Sequence, residues 1–249
     1  VPGKPNLKNA EATITAIERG VRFIKNGQCS ALCTMPISKS ILKEGANFHF
    51  PGHTEYLAHL DGKNTYGMML INRYLRVVPA TIHVPIKDIT KYLNRELIEK
   101  TIKITHQELT SRFAIPNPNI WISGLNPHAG EAGTIGDEEN NFIIPAIKKL
   151  RSEGYSLVGP ISADTMFYRK KRLKFDAAIC MYHDQALIPI KTLDFHSSVN
   201  LTIGLSFIRT SPDHGTAFDI AGKNLANPTS TIEAIKLAWK LVKKEKKDR

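Results

Sequence analysis

The sequence predicts an α/β protein built around a mixed, largely parallel sheet. Apolar runs of strand length alternate with segments of helical periodicity over most of the chain. Three of those runs end on a histidine or a histidine-bearing loop: residues 77–82 run into His83, residues 120–125 into the loop holding His128, and residues 175–182 into His183. The carboxyl ends of parallel strands are where open α/β sheets bind ligands. The dipeptide Asn72-Arg73 between two apolar runs predicts a hairpin, so the sheet is expected to be mixed.

Each element follows from local pattern. Residues 1–7 are a Pro/Gly lead-in. Residues 9–25 place Ala12, Ile14, Ile17, Val21 and Ile24 at helical spacing, with Gly27 as the stop. Residues 29–33 read as a short strand, followed by a short helix ending near Leu42. Thr54 is placed to cap a helix over 55–60. Residues 66–71 and 74–82 form the hairpin, and 95–112 form an amphipathic helix with Leu97, Ile98, Ile102 and Leu109 inward. A helix over 138–150 follows the His128 loop. Residues 156–158 form a short strand, with Asp164 just beyond it. Strands over 199–205 and 207–209 precede a Gly-bearing loop at 213–222. The last helix spans 229–243, with Ile232, Ile235, Leu237, Ala238 and Leu241 as its apolar face.

Composition narrows the function classes. The chain has 249 residues, enough for one large or two modest cores, and its 42% hydrophobic content is that of a globular protein. The longest apolar runs are strand-length, so no membrane span is expected, and no signal peptide is visible. The formal charge of +11 favours anionic partners. Six of the basic side chains crowd into residues 240–249, which read as a solvated helix end. There is no zinc-finger or aromatic-basic signature, which argues against nucleic acid. Cys29, Cys33 and Cys180 lie in apolar contexts and read as buried free thiols of a reducing, cytoplasmic protein.

The chemistry-bearing residues cluster at the strand ends. A single loop histidine is ordinarily just hydrogen-bonded. Three at equivalent strand ends, His83, His128 and His183, read as ligands that leave an open position on zinc or a similar divalent ion. Asp184 and Asp164 can orient a ligand histidine or accept a proton, and Asp164 can equally serve as a helix cap. Lys191, Asn200 and Arg209 punctuate apolar segments, where a buried cation needs an anion or an internal salt bridge. The loop 213–222 is not a G-x-G-x-x-G turn; its small residues allow close backbone approach to a ligand.

Four motifs together resemble the 4-hydroxythreonine-4-phosphate dehydrogenase family. They are Pro51-Gly52-His53-Thr54-Glu55, Asn126-Pro127-His128-Ala129-Gly130-Glu131, Tyr182-His183-Asp184-Gln185 and Ile208-Arg209-Thr210-Ser211-Pro212-Asp213-His214-Gly215-Thr216-Ala217. The similarity runs from about Pro2 to the last helix. It implies two α/β/α domains like those of isocitrate and isopropylmalate dehydrogenases. Residues 1–55 and 205–249 would belong to the first domain, and residues 56–204 to the second, with the dimer interface. The family's initial strand and Gly-Asp-Pro-Ala-Gly-type turn are absent, so the resemblance implies an N-terminally truncated member.

The resemblance further implies a homodimer with shared active sites, a phosphorylated substrate, NAD or NADP, and one divalent ion per site (zinc, magnesium or cobalt). It makes His83, His128 and His183 the metal ligands, with at least one supplied across the dimer. It places substrate contacts at His53, Thr54, Lys191, Asn200 and Arg209. For the catalytic roles the candidates are Asp184, Asp164 or a bound water as the base, and Lys191 at an anionic end of the substrate. The adenine side of the cofactor falls to Asp213, His214, Gly215, Thr216 and Ala217. The implied reaction is oxidation of 4-phosphooxy-L-threonine to a 3-oxo acid that decarboxylates to 3-amino-2-oxopropyl phosphate. The alternatives are a paralogous dehydrogenase of 4-phospho-D-threonate or 4-phospho-D-erythronate, and a non-catalytic binder of phosphometabolites or nucleic acid.

Overall fold

Helix α1 (Ala10–Lys25) buries Ala10, Ile17 and Val21 on one face and ends at Asn26 and the left-handed Gly27. The computed structural model describes residues 1–245. After α1 come β1 (Ala31–Cys33), α2 (Lys39–Ala46), α3 (His53–Asp61), β2 (Gly67–Ile71), β3 (Arg76–Pro79), α4 (Ile89–Tyr92) and α5 (Arg95–Ser111). Then follow β4 (Ile120–Ser123), α6 (Ile144–Ser152), β5 (Leu157–Ile161), α7 (Arg169–Arg172), β6 (Ala177–Cys180) and α8 (His183–Leu193). The chain closes with β7 (Val199–Ile203), β8 (Ile208–Pro212) and α9 (Thr229–Glu245). No helix among the described residues is long and apolar enough to cross a membrane.

Two compact units divide the chain: residues 1–66 with 196–249, and residues 67–195. These boundaries differ from those expected at 55/56 and 204/205. Packing explains the shift: Tyr56, Leu57 and Ala58 of α3 join Ile17, Val21 and Leu42 in the first unit's core, and β7 pairs with β8.

In the first unit β8 lies between β1, parallel to it, and β7, antiparallel to it. Arg209 of β8 faces Leu32 on one side and Thr202 on the other in register. Helix α9 closes on this sheet through small residues. The Thr210 hydroxyl donates to the Ala234 carbonyl at 2.9 Å.

In the second unit the strand order is β2-β3-β6-β4-β5. The β2–β3 pair is the expected antiparallel hairpin, and the other three pairings are parallel. Parallel strands covered on both faces should be apolar throughout; β4 and β6 are buried at every position.

Several local expectations change. Thr54 does not cap α3; the helix starts two residues earlier than expected, at His53, with the extended Gly52 before it, so Thr54 lies inside the first turn. Residues 138–150 are not one α-helix: a π-turn (Glu139–Ile143) precedes α6. Pro145 accounts for the irregularity, because its ring cannot donate to the carbonyl four residues back and crowds it. In α9 the inward residues are Ser230, Ala234, Ala238, Leu241 and Val242, while Ile232 and Ile235 are 44% and 54% exposed. Close approach to β8 favours small side chains there. Cys29 is exposed rather than buried, because its backbone still bonds to Phe23 in the turn leaving α1. Cys33 is half-buried and Cys180 buried. The basic run at 240–249 is described only to Glu245, and residues 246–249 lie outside the described residues.

Candidate active site

In the second unit, β3 and β6 run side by side and are zipped past their ends. The Ala80 amide donates to the Cys180 carbonyl at 2.7 Å, and the Thr81 hydroxyl to the Met181 carbonyl at 2.7 Å. This pairing carries the two chains on to His83 and His183. Their ring centroids lie 5.9 Å apart. His83 holds a left-handed backbone, φ 48, of the strained kind that collects at functional sites. Both rings border a cleft of about 180 Å³ lined also by Thr81, Ile86, Tyr182 and Asp184.

Asp184 Oδ1 lies 2.7 Å from Nδ1 of His183. A carboxylate on one ring nitrogen sets the tautomer and turns the other nitrogen outward, the usual arrangement behind a metal-ligating histidine. Two imidazoles at this spacing, one backed by a carboxylate, suit a divalent cation of the zinc type. His128 does not join them within the chain. Among the described residues no three His, Cys, Asp or Glu side chains lie together as a metal site.

His128 sits instead in the turn Pro127–Gly133, whose backbone is left-handed from His128 to Ala132 (φ 52, 52, 76, 42 and 57). Four of those five residues are not glycine. Left-handed geometry costs an L-residue about 1–2 kcal/mol each, so the turn must be held from outside. Asp164, in the turn Ala163–Thr165, interacts electrostatically with His128. Its carboxyl is held below the usual carboxylate range, chiefly by the Ser162 hydroxyl, aided by the Thr165 amide and the charge of His128. Lys191 lies on α8 two turns beyond His183, with its ammonium 5.5 Å from the Phe195 ring centroid.

The first unit gathers a second set. Arg209 is only 4% exposed. Its guanidinium donates to Thr34 at 3.1 and 2.8 Å and to Thr202 at 2.9 Å. Burial lowers its pKa to about 10, against the opposing influence of Cys33 and Glu55. Among the described residues it forms no ion pair: its hydrogen bonds go to hydroxyls, and the Glu55 carboxylate favours the cation without touching it. Burying a charge without an opposite partner is costly, and an anionic ligand would supply the missing charge.

Nearby, His53 Nε2 and Asn200 Oδ1 are buried without a hydrogen-bond partner. Asn200 is two residues from Thr202 on β7 and so faces the same side of the sheet. Burial, and secondarily the charge of Arg209, lower the His53 pKa from 6.5 to about 3. His53 is therefore a neutral imidazole at physiological pH. Thr54 follows it, half-buried in α3.

That shift has a measurable consequence. Above pH 6.5 His53 is neutral in both folded and unfolded states and adds no pH dependence. Below it, the unfolded chain takes up a proton that the folded one refuses, so stability falls by about 1.4 kcal/mol per pH unit. Between pH 7 and pH 5 the expected loss from this residue is about 2 kcal/mol. Urea unfolding of the parent and of His53→Gln at both pH values checks this. Equal losses in the two proteins would remove His53 as the source.

The loop from Asp213 to Ala217 leaves β8. The Asp213 amide donates to the Ser230 hydroxyl at 3.0 Å, and His214 Nδ1 lies 3.0 Å from the Gly215 carbonyl. His214, Gly215 and Ala217 are exposed, Thr216 is half-buried, and Ala217 is left-handed at φ 46.

Two buried residues that hold the strand ends escaped the sequence reading. Gln185 Oε1 accepts from the Ser123 hydroxyl and the Met181 amide, both at 2.7 Å, while its Nε2 donates to the Gly124 carbonyl at 2.8 Å. It thus ties the exit of β4 to the start of α8. Glu139 does the same for the His128 turn. The adjacent pair Glu138-Glu139 looks in sequence like ordinary first-turn acid on a helix, which disguises a carboxylate only 2% exposed.

Comparison with known proteins gives the family of the chain. Residues 1–238 match the model of a family described as pyridoxal phosphate biosynthetic protein PdxA. A 4-hydroxythreonine-4-phosphate dehydrogenase from Ruegeria sp. (strain TM1040) is 52% identical over 241 residues, covering 97% of this chain and 74% of that protein. The crystal structure of a 4-hydroxythreonine-4-phosphate dehydrogenase from Klebsiella pneumoniae superposes with a TM-score of 0.89 at 38% identity, covering 97% of this chain and 73% of that one. A β-decarboxylating dehydrogenase from Thermococcus kodakarensis shares the fold at 14% identity, with a TM-score of 0.50 and coverage of 91% and 80%.

Proposed function

The chain belongs to the PdxA family and is a 4-hydroxythreonine-4-phosphate dehydrogenase of pyridoxal phosphate biosynthesis; from this premise we infer how its own residues divide the work. The reaction oxidises a secondary alcohol by hydride transfer and yields a 3-oxo acid, which loses carbon dioxide to leave 3-amino-2-oxopropyl phosphate. A dehydrogenase of this kind uses a nicotinamide cofactor, and its substrate is phosphorylated. When bound, a divalent cation supplies Lewis acidity at the alcohol oxygen and the nicotinamide supplies the hydride acceptor.

The single observation that carries the assignment of the reacting centre is the His83–His183 pair, 5.9 Å apart with Asp184 behind His183. These two imidazoles hold the cation in this reading, and His128 takes part in a set shared between two copies of the chain. That makes the enzyme a homodimer with shared sites, built on the two-domain plan of β-decarboxylating dehydrogenases. Asp184 is committed to His183, which leaves Asp164, beside His128, or a bound water to take the alcohol's proton.

Arg209 binds an anionic end of the substrate in this reading. His53, neutral and with a buried unpartnered Nε2, and Asn200 hydrogen-bond the substrate's polar groups beside Arg209, next to Thr54. Fixing that end restricts the substrate's freedom before it reacts. The exposed backbone from Asp213 to Ala217 receives the adenine side of NAD, with NADP as the alternative.

The test is NADH formation from 4-phosphooxy-L-threonine, with 4-phospho-D-erythronate as the competing substrate. Chelation should abolish turnover, and Zn²⁺, Co²⁺ or Mg²⁺ should restore it. Full activity after exhaustive chelation, with no bound metal by elemental analysis, would overturn the cation assignment. Preference for the erythronate would move the protein to the paralogous reaction.

A further inference from the structure

We propose that Glu139 is the positioning residue of His128: its buried carboxylate is the core around which the left-handed turn Pro127–Gly133 is wound. The inference rests on the reading that His128 belongs to the cation-binding set.

Three observations carry it. First, the carboxylate takes hold of the chain immediately before the turn. Glu139 Oε1 accepts from the Leu125 and Asn126 amides, both at 2.8 Å, and Oε2 accepts from Asn126 Nδ2 at 2.9 Å. Glu138 adds a contact to the same Asn126 amide at 2.7 Å. Bonds from an ionised acceptor are about twice as strong as neutral ones.

Second, the turn is moulded to the carboxylate. A Cβ on Gly130 would stand 2.5 Å from Glu139 Oε2, and one on Gly124 would meet Ala129 of the turn at 2.7 Å and Glu139 Oε1 at 3.0 Å. The glycines in this motif therefore leave room for the acid, besides meeting the left-handed geometry at Gly130.

Third, Glu139 opens the π-turn Glu139–Ile143 ahead of α6. Such widened turns re-aim one side chain out of helical register and recur at functional sites. Here the residue at the opening of the wide turn is the one whose side chain reaches back to the strand end.

Nothing local favours five successive left-handed residues. Their geometry is imposed by the anchors on either side, of which Glu139 makes the most contacts. Without it the turn is expected to relax toward right-handed backbone and carry the imidazole away. Residues that orient a metal ligand in this indirect way typically account for 10- to 100-fold in metal affinity.

The experiment compares the full chain with Glu139→Gln, Gly130→Ala, His128→Ala and the double variant Glu139→Gln/Ala132→Gly. Co²⁺ affinity is read from its visible absorption, and amide hydrogen exchange is followed at Leu125 and Asn126. Glu139→Gln should weaken Co²⁺ binding about 10- to 100-fold and speed exchange at both amides, with far-UV circular dichroism unchanged. Gly130→Ala, which displaces the carboxylate from the turn side, should do the same and serves if the first variant fails to fold. Ala132→Gly removes the left-handed penalty at φ 57 and should return part of the lost affinity, about fivefold.

If His128→Ala leaves Co²⁺ affinity unchanged, the metal reading itself falls. If His128→Ala weakens binding but Glu139→Gln and Gly130→Ala do not, the positioning role alone is overturned. A loss in Glu139→Gln that Ala132→Gly leaves untouched overturns it as well, because the carboxylate would then act otherwise than by holding the turn.

Discussion

Replacing Arg209 with Met should cost the enzyme its substrate while leaving the fold as stable as before, or more so. Met keeps an unbranched apolar stem, shorter at its tip, and removes a buried guanidinium whose hydrogen bonds go to the Thr34 and Thr202 hydroxyls. Exchanging buried charge for apolar volume is commonly neutral or stabilising. Losing the charge that meets an anionic ligand end costs about 2–5 kcal/mol of binding, or roughly 30- to several thousand-fold in kcat/KM. The measurement is a pair: kcat/KM for the phosphorylated substrate, and urea unfolding without ligand. Unchanged kcat/KM with stability lowered by several kcal/mol would make Arg209 a structural residue.

His183→Ala is expected to have the second large effect. The residue opens α8 with a side chain 37% exposed, and Ala is well suited to a helix, so the fold should persist. Lewis-acid stabilisation of a reacting oxygen is worth several kcal/mol, so kcat should fall on the order of a thousandfold. Bound metal should fall in parallel. Binding of the phosphorylated substrate should weaken far less, since Arg209 and its hydroxyl partners are unchanged in this variant. A variant that keeps full metal content and turnover would remove His183 from the reacting centre. Taken with Arg209→Met, the two variants separate ligand capture from chemistry.

Much of the fold was legible because parallel strands announce themselves. Residues 120–123 and 177–180 are buried at every position, and a run with no polar face has few alternatives to a covered central strand. The hairpin at Asn72 was legible for a different reason. The Asn72 side chain accepts from the Tyr74 and Leu75 amides, the local bonding that makes asparagine a turn residue. The faces of α9 were not legible. Hydrophobicity placed Ala238 and Leu241 inward as found, but it also pointed Ile232 and Ile235 inward, where close contact with β8 selected Ser230 and Ala234 instead. That choice depends on interhelix and sheet distance, which no local pattern carries.

The site divides along the same line. The pairing of His83 with His183 could be anticipated, because each follows a strand and parallel neighbours end on the same edge. Which histidine would stand apart could not: the resemblance implies a ligand supplied across the dimer without saying which, and His128 lies on a left-handed turn that disobeys the preferences of its own residues. Glu139 and Gln185 were missed because their importance lies in burial, and sequence shows charge and polarity without showing depth.

By itself, then, the sequence determined the class of fold, the family and the residue types at the strand ends, since these follow from periodicity, strand-end placement and motif order. Only the tertiary structure decided that Arg209 is buried among hydroxyls, that His53 is held neutral, and that His83 and His183 meet while His128 stands apart on a turn wound about Glu139. The physical reason is that solvation and partner distance set the energy of a charge or a strained backbone, and both come into being only when distant segments pack.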